Sequence, residues 1–240
     1  MAAATAMTRR ASGMLDRWWR WGAAAGILFV VLFIVGLIVQ GSTPSVDDPV
    51  TKVKDYFLDH RDRWLVGDYL IGLAFLLFFL PFLSCLRGLL ARAEGDEAVW
   101  SRVVFAAGIA FLVVGAATSL AQGALAYGAV AHAGDDVIQT LTDIDYYGFT
   151  TISLAAGVLV LAASIVILRT GILWAWLGGL GLLEAVIAVI APLAVLSRDP
   201  DSALGILGFI AFIGFGVWII LVAVGMWMTK ALPDRAAADR

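Results

Sequence analysis

The chain has 240 residues, 62% of them hydrophobic and only 15% charged, with a mean hydropathy of +0.94. A soluble domain carries about 25% charged residues, so this composition excludes a soluble globular class. The formal net charge is −3, and no basic patch exceeds Arg9-Arg10 and the cluster between Arg17 and Arg20, so nucleic acid is not expected as a partner.

The basic N-terminal stretch and the apolar run after it have the outline of a signal peptide. The run from Gly22 to Val39 is longer than a usual signal core, however, and no small-x-small cleavage site follows it. It is read as a first membrane span, with Trp18, Trp19 and Trp21 anchored at headgroup level. A span needs about 20 apolar residues at 1.5 Å rise across a core of roughly 30 Å. Six runs satisfy this, at 22–40, 64–86, 103–127, 147–168, 172–195 and 204–228. Each must be helical, because open backbone in lipid leaves its polar groups unpaired. The fold class is therefore all-α, a six-helix transmembrane bundle over 22–228. A cytoplasmic basic tail at 1–21 and a cytoplasmic tail at 229–240 flank it.

Orientation follows from Lys and Arg. The N-terminal tail, the 87–102 loop, the turn at Arg169 and the C-terminal tail together hold eleven, against five in the alternate loops. Both termini are then cytoplasmic in a cell inner (plasma) membrane. Seven of the nine tryptophans, including Trp100, Trp174, Trp176 and Trp227, fall near that inner interface.

The first outer loop carries its own helix. Asp48 and Pro49 read as an N-cap and first-turn pair. Val50, Val53, Phe57 and Trp64 then recur at helical spacing among Lys52, Lys54, Asp55, Asp59 and Asp62. This is expected to be a short extracytoplasmic amphipathic helix on the outer surface, running into span two.

Polar residues inside the spans form stripes. On span three Gly108, Gly115, Thr118, Ser119, Gln122 and Ala126 share a face; on span four Asp143, Tyr146, Tyr147, Thr150, Ser153, Gly157 and Ser164 do so. Asp68 lies one to two turns into span two. Glu184 is the one formal charge between Ile172 and Leu193. A carboxyl at that depth is expensive in hydrocarbon and is a functional-site candidate. Its face also holds Gly181, Ala188 and Ala191, so it should point into the bundle, with Thr118, Ser119 or Gln122 as partners if span three is the neighbour. Asp68, Gln122, Asp143, Tyr147, Thr150 and Glu184 form a candidate vestibule opening outward. The same small and hydroxyl residues also serve close helix packing. Ridges at Gly22 and Gly26, and at Gly205, Gly208, Ala211 and Gly214, suit close approach within the chain or to a second copy.

Two further patterns bear on assembly and cofactors. Pro81 with Arg87 and Pro192 with Arg198 follow tryptophans at similar spacing, as an inverted three-plus-three repeat would show. His60 and His132 lie outside the spans and no lysine lies within one, so no cofactor and no intramembrane metal centre are expected. His132, Asp135 and Asp136 could ligate a divalent ion or simply form a solvated loop. The single cysteine, Cys85, excludes an internal disulfide and reads as a small buried hydrophobe.

Leu86-Arg87 through Glu94-Gly95 and Leu168-Arg169 through Trp176 resemble motifs of uncharacterised six-span bacterial membrane proteins of unknown function, with Ala175 replacing the usual proline. The 13 arginines against 3 lysines fit a high-GC origin. The resemblance implies six helices and no activity. Two functions are expected from the residues: a non-enzymatic membrane component or accessory subunit with a homo-oligomeric or membrane-protein partner, or a small proton- or cation-coupled transporter using Glu184. No nucleophile–base pair or metal set supports an enzyme.

Overall fold

A computed structural model describes residues 2–196 and 202–229, with side chains from Trp18 onward. The C-terminal tail, Arg198 and the side chains of Arg9, Arg10 and Arg17 lie outside the described set. Six helices organise the chain: α1 (Ala2–Gln40), α2 (Val50–Glu94), α3 (Val99–His132), α4 (Asp135–Thr170), α5 (Ala175–Leu196) and α6 (Ala203–Met228). All six are long and apolar enough to cross a membrane. Each packs on the next, and α6 returns to α1, so the helices close a ring in chain order.

Thr118, Ser119 and Gln122 could partner Glu184 only if span three were the neighbour of span five. Instead α5 packs on α4 and α6, because the four-residue link from Gly171 to Trp174 forces α4 and α5 to be antiparallel neighbours. Gly171, at φ 64°, takes the left-handed cap that ends α4. At the α2–α3 link the Glu94 carboxylate accepts the N–H groups of Trp100 (2.8 Å) and Ser101 (2.9 Å), satisfying the start of α3.

α2 spans 45 residues, roughly 67 Å at 1.5 Å per residue, about twice a hydrocarbon core. The expected amphipathic helix forms the first turns of α2 and runs without a break into the second span. Its seven charges between Lys52 and Arg63 keep this stretch out of hydrocarbon. Its apolar face does not lie on lipid. Val53, Phe57 and Trp64 are buried against Leu125, Ala126 and Val130 of α3 and Ile138 of α4, as a small second core. Removing a Val, Leu, Ile or Phe side chain from water contributes about 1.5–3 kcal/mol. Asp48 does not cap α2, since Pro49 holds the N-cap position with ψ 145°. The displaced Asp48 carboxylate instead accepts from Lys52 Nζ (2.8 Å) and the Ser45 N–H (2.8 Å).

The main core has a different logic. Lipid tails give helices no hydrophobic reason to associate, so shape and close approach must hold them. Gly36 and Gly67 bring α1 and α2 together: a Cβ at Gly36 would stand 2.9 Å from the Gly67 carbonyl oxygen. Phenylalanines fill the centre, with Phe79 5.0 Å from Phe29 and 5.5 Å from Phe111, and Phe111 5.1 Å from Phe215. These rings join α1, α2, α3 and α6. A π-turn at Ala74–Phe79 leads into Pro81, and a 3₁₀ segment at Ala191–Leu196 contains Pro192. Both relieve a missing proline N–H, in different ways.

Candidate functional site

Polar side chains within the bundle fall into two groups. The first is a ladder between α2, α3 and α4. Trp64 and Asp68 are one turn apart on α2, and Gln122 and Ser119 one turn apart on α3. The Trp64 indole N–H donates to Gln122 Oε1 at 3.1 Å, and Gln122 Nε2 donates to Asp145 Oδ2. One turn deeper, Ser119 Oγ donates to Asp68 Oδ1 at 2.5 Å. The stripe on α3 thus runs between two neighbours: Gly115 faces Ile152, and Gly148 of α4 lies against Thr118.

Several residues take places that the stripes did not foretell. Asp143 is exposed and accepts from Gln139 at 3.1 Å, and Tyr147 is 58% exposed. Thr150 Oγ1 donates to the Tyr146 carbonyl at 2.7 Å within its own helix. The α4 residue that reaches Gln122 is Asp145. Its line along α4 continues through Gly148 and Ile152 to buried Ala156, Leu159 and Ala163. Buried Ile138, two turns earlier, belongs to that line. This was the available signal, and the more polar line of Asp143 and Tyr147 masked it. Asp135 pairs with Lys54 at 2.6 Å. Among the described residues no group of three or more His, Cys, Asp or Glu is gathered as a metal site.

The second group lies in the seam of α4, α5 and α6, and Glu184 is its centre. Only 6% exposed, Glu184 turns inward, whereas Val186, Val189, Ile190 and Leu193 of the same helix are exposed. Its carboxyl lies against Gly214 of α6, where an added Cβ would clash with Oε2 and stand 2.9 Å from the carboxyl carbon. Thr118, Ser119 and Gln122, the partners named for the case that span three is the neighbour, are bonded elsewhere: Thr118 Oγ1 donates to the Val114 carbonyl at 2.9 Å.

One turn from Glu184 on the same face, Gly181 receives two polar groups. A Cβ there would collide with Ser164 Oγ of α4 and stand 2.6 Å from Trp218 Nε1 of α6. Ser164 and Trp218 are both fully buried. Ser164 Oγ, Glu184 Oε1 and Trp218 Nε1 are buried atoms with no hydrogen-bond partner among the described residues. Trp218 was legible as an anomaly, since tryptophan favours interfaces and a mid-span indole N–H needs an acceptor.

At the other end of the bundle Arg92 stacks over Trp19 (5.2 Å) and Arg169 over Trp100 (5.9 Å), while Trp174 and Trp176 stack on each other at 5.7 Å. Cys85 is buried there, its Sγ 3.6 Å from the Trp18 carbonyl. No family model, curated protein or solved structure matches the chain. The six apolar helices and their interior identify a multipass membrane protein of all-α architecture.

Proposed function

We propose that this protein is a non-enzymatic multipass component of a bacterial inner membrane of the high-GC type, with both termini cytoplasmic, working as an accessory subunit beside a membrane-protein partner or a second copy. The observation that carries this reading is the ladder of Trp64, Gln122, Asp145, Ser119 and Asp68. Its polar groups serve as fasteners between helices, and the centre beside them is packed with phenylalanine. The arginine and tryptophan end of the bundle supports the cytoplasmic assignment by the positive-inside rule. The extended ends of α2, α3 and α4, with their own small core, then form an extracytoplasmic head. Native mass spectrometry from nanodiscs tests the reading. A stoichiometric partner or second copy is expected, and a 25.5 kDa monomer from membranes of the native host refutes it.

A second reading, proton- or cation-coupled transport, is favoured by one feature: Glu184 is buried among helices with an oxygen that has no partner among the described residues. Packing alone does not need a carboxyl. Under this reading Glu184→Gln folds but abolishes pH-dependent transport in vesicles. A structural Glu184 gives normal behaviour for Glu184→Gln and lost stability for Glu184→Leu.

A further inference from the structure

The geometry points to a buried proton- and water-binding site formed by Glu184, Ser164 and Trp218 in the seam of α4, α5 and α6. Three polar atoms from three helices lie in this seam, Ser164 Oγ and Trp218 Nε1 both at Gly181 and the Glu184 carboxyl one turn along at Gly214, each without a partner among the described residues. Gly181 and Gly214 are the positions that let them do so, since a Cβ at either would occupy their space. Buried polar atoms are seldom left unsatisfied, and an unexplained orphan points to a ligand. Here the set is two donors, the Ser164 hydroxyl and the Trp218 indole N–H, with one acceptor, Glu184 Oε1. A buried water makes about three hydrogen bonds to such groups. One water can accept from Trp218 and Ser164 and donate to Glu184.

The same donor set selects among ions. Hard cations such as calcium are held by six or more oxygen ligands. The site offers two carboxyl oxygens and one hydroxyl, and its indole N–H presents positive charge. It therefore suits a proton and not a metal cation. In uptake, hydronium gives its proton to Glu184 Oε1: an O–H bond forms there, one O–H bond of hydronium breaks, and the water left turns to accept from the new carboxyl O–H and from Trp218 while donating to Ser164 Oγ, whose hydroxyl can act either way. No other titratable group takes part locally. The facing stretches 157–164 of α4 and 211–218 of α6 contain no charged residue, and Glu184 is the only one in α5. The inference concerns equilibrium binding, so it bears on the transport reading without resting on it.

Infrared difference spectroscopy on the full chain in nanodiscs tests it, by changing pH at fixed salt and then salt at fixed pH. A carboxylic-acid C=O band is expected that is lost in Glu184→Gln and shifts to lower wavenumber in D2O. Ser164→Ala and Trp218→Phe should each move it to higher wavenumber by removing a hydrogen bond from the network. Should Trp218→Phe not fold, Ser164→Ala, the smaller change, decides. A band unmoved by D2O, or by the substitutions, overturns the shared site. A band abolished by sodium or potassium at fixed pH assigns it to a metal cation instead. No Glu184 acid band at any pH shows that the carboxyl takes no proton.

Discussion

Replacing Gln122 by Leu removes the one side chain that bonds both Trp64 and Asp145. The magnitude depends on what each partner can do afterwards. Trp64 is 1% exposed, so its indole N–H is stranded away from water, and a stranded buried group costs about 1–3 kcal/mol. Asp145 is only half-buried and can rehydrate in part. Hydrogen bonds between membrane helices average about 0.6 kcal/mol and reach about 1.7 kcal/mol in mutant cycles. These bounds place the loss near 2 kcal/mol, up to about 30-fold in the folded ratio. Trp64→Phe keeps most of the ring packing and removes the donor. In the double variant Trp64→Phe with Gln122→Leu, that donor is no longer stranded, so the combined loss should fall short of the sum by about 1 kcal/mol. Reversible unfolding in mixed micelles measures the cycle. A Gln122→Leu variant as stable as the parent, or strictly additive losses, would refute the claim that this ladder fastens α2 to α3 and α4.

Gly214 and Gly208 lie on the same helix but should respond oppositely. Gly214→Ala drives a Cβ into the Glu184 carboxyl and should cost about 1–3 kcal/mol, whereas at Gly208 the nearest atom, Ala191 Cβ, is 3.9 Å away and Gly208→Ala should be tolerated; thermal melts in detergent compare them. Topology is checked with a reporter active only outside the cytoplasm, expected silent at either terminus and active when inserted near Asp135; an active C-terminal fusion overturns the orientation. At the start of α2, the Lys52 ammonium and then the Ser45 N–H hold the Asp48 carboxyl below the ordinary aspartate range. A depressed folded value stabilises this turn above the ordinary range and stops doing so as pH falls through the folded value. Amide exchange at Ser45 should therefore accelerate in acid, and Asp48→Asn should remove that dependence. Lys54→Ala, which breaks the exposed pair with Asp135, should change stability by no more than about 1 kcal/mol.

The six spans, the helical pattern of Val53, Phe57 and Trp64, and the inward turn of Glu184 follow from the sequence alone. Each depends on local physics: a 30 Å apolar thickness, a 3.6-residue period, and the cost of a carboxyl in lipid. The neighbours did not follow. An apolar helix can be rotated about its axis, or set beside a different helix, with little change in what its own residues present to lipid. That is why the stripe through Asp143 and Tyr147 stood as the polar face of span four although Asp145 is the residue that reaches Gln122, and why the neighbour of Glu184 stayed conditional. Steric fit between distant segments decides such questions. Gly36 against Gly67, Gly148 against Thr118 and Gly214 against Glu184 are pairings between residues far apart in the chain. Only in the assembled ring do Ser164 and Trp218 come to Gly181, one turn from Glu184, because α5 is held between α4 and α6 by its short link and by glycines that admit the other helices' polar atoms.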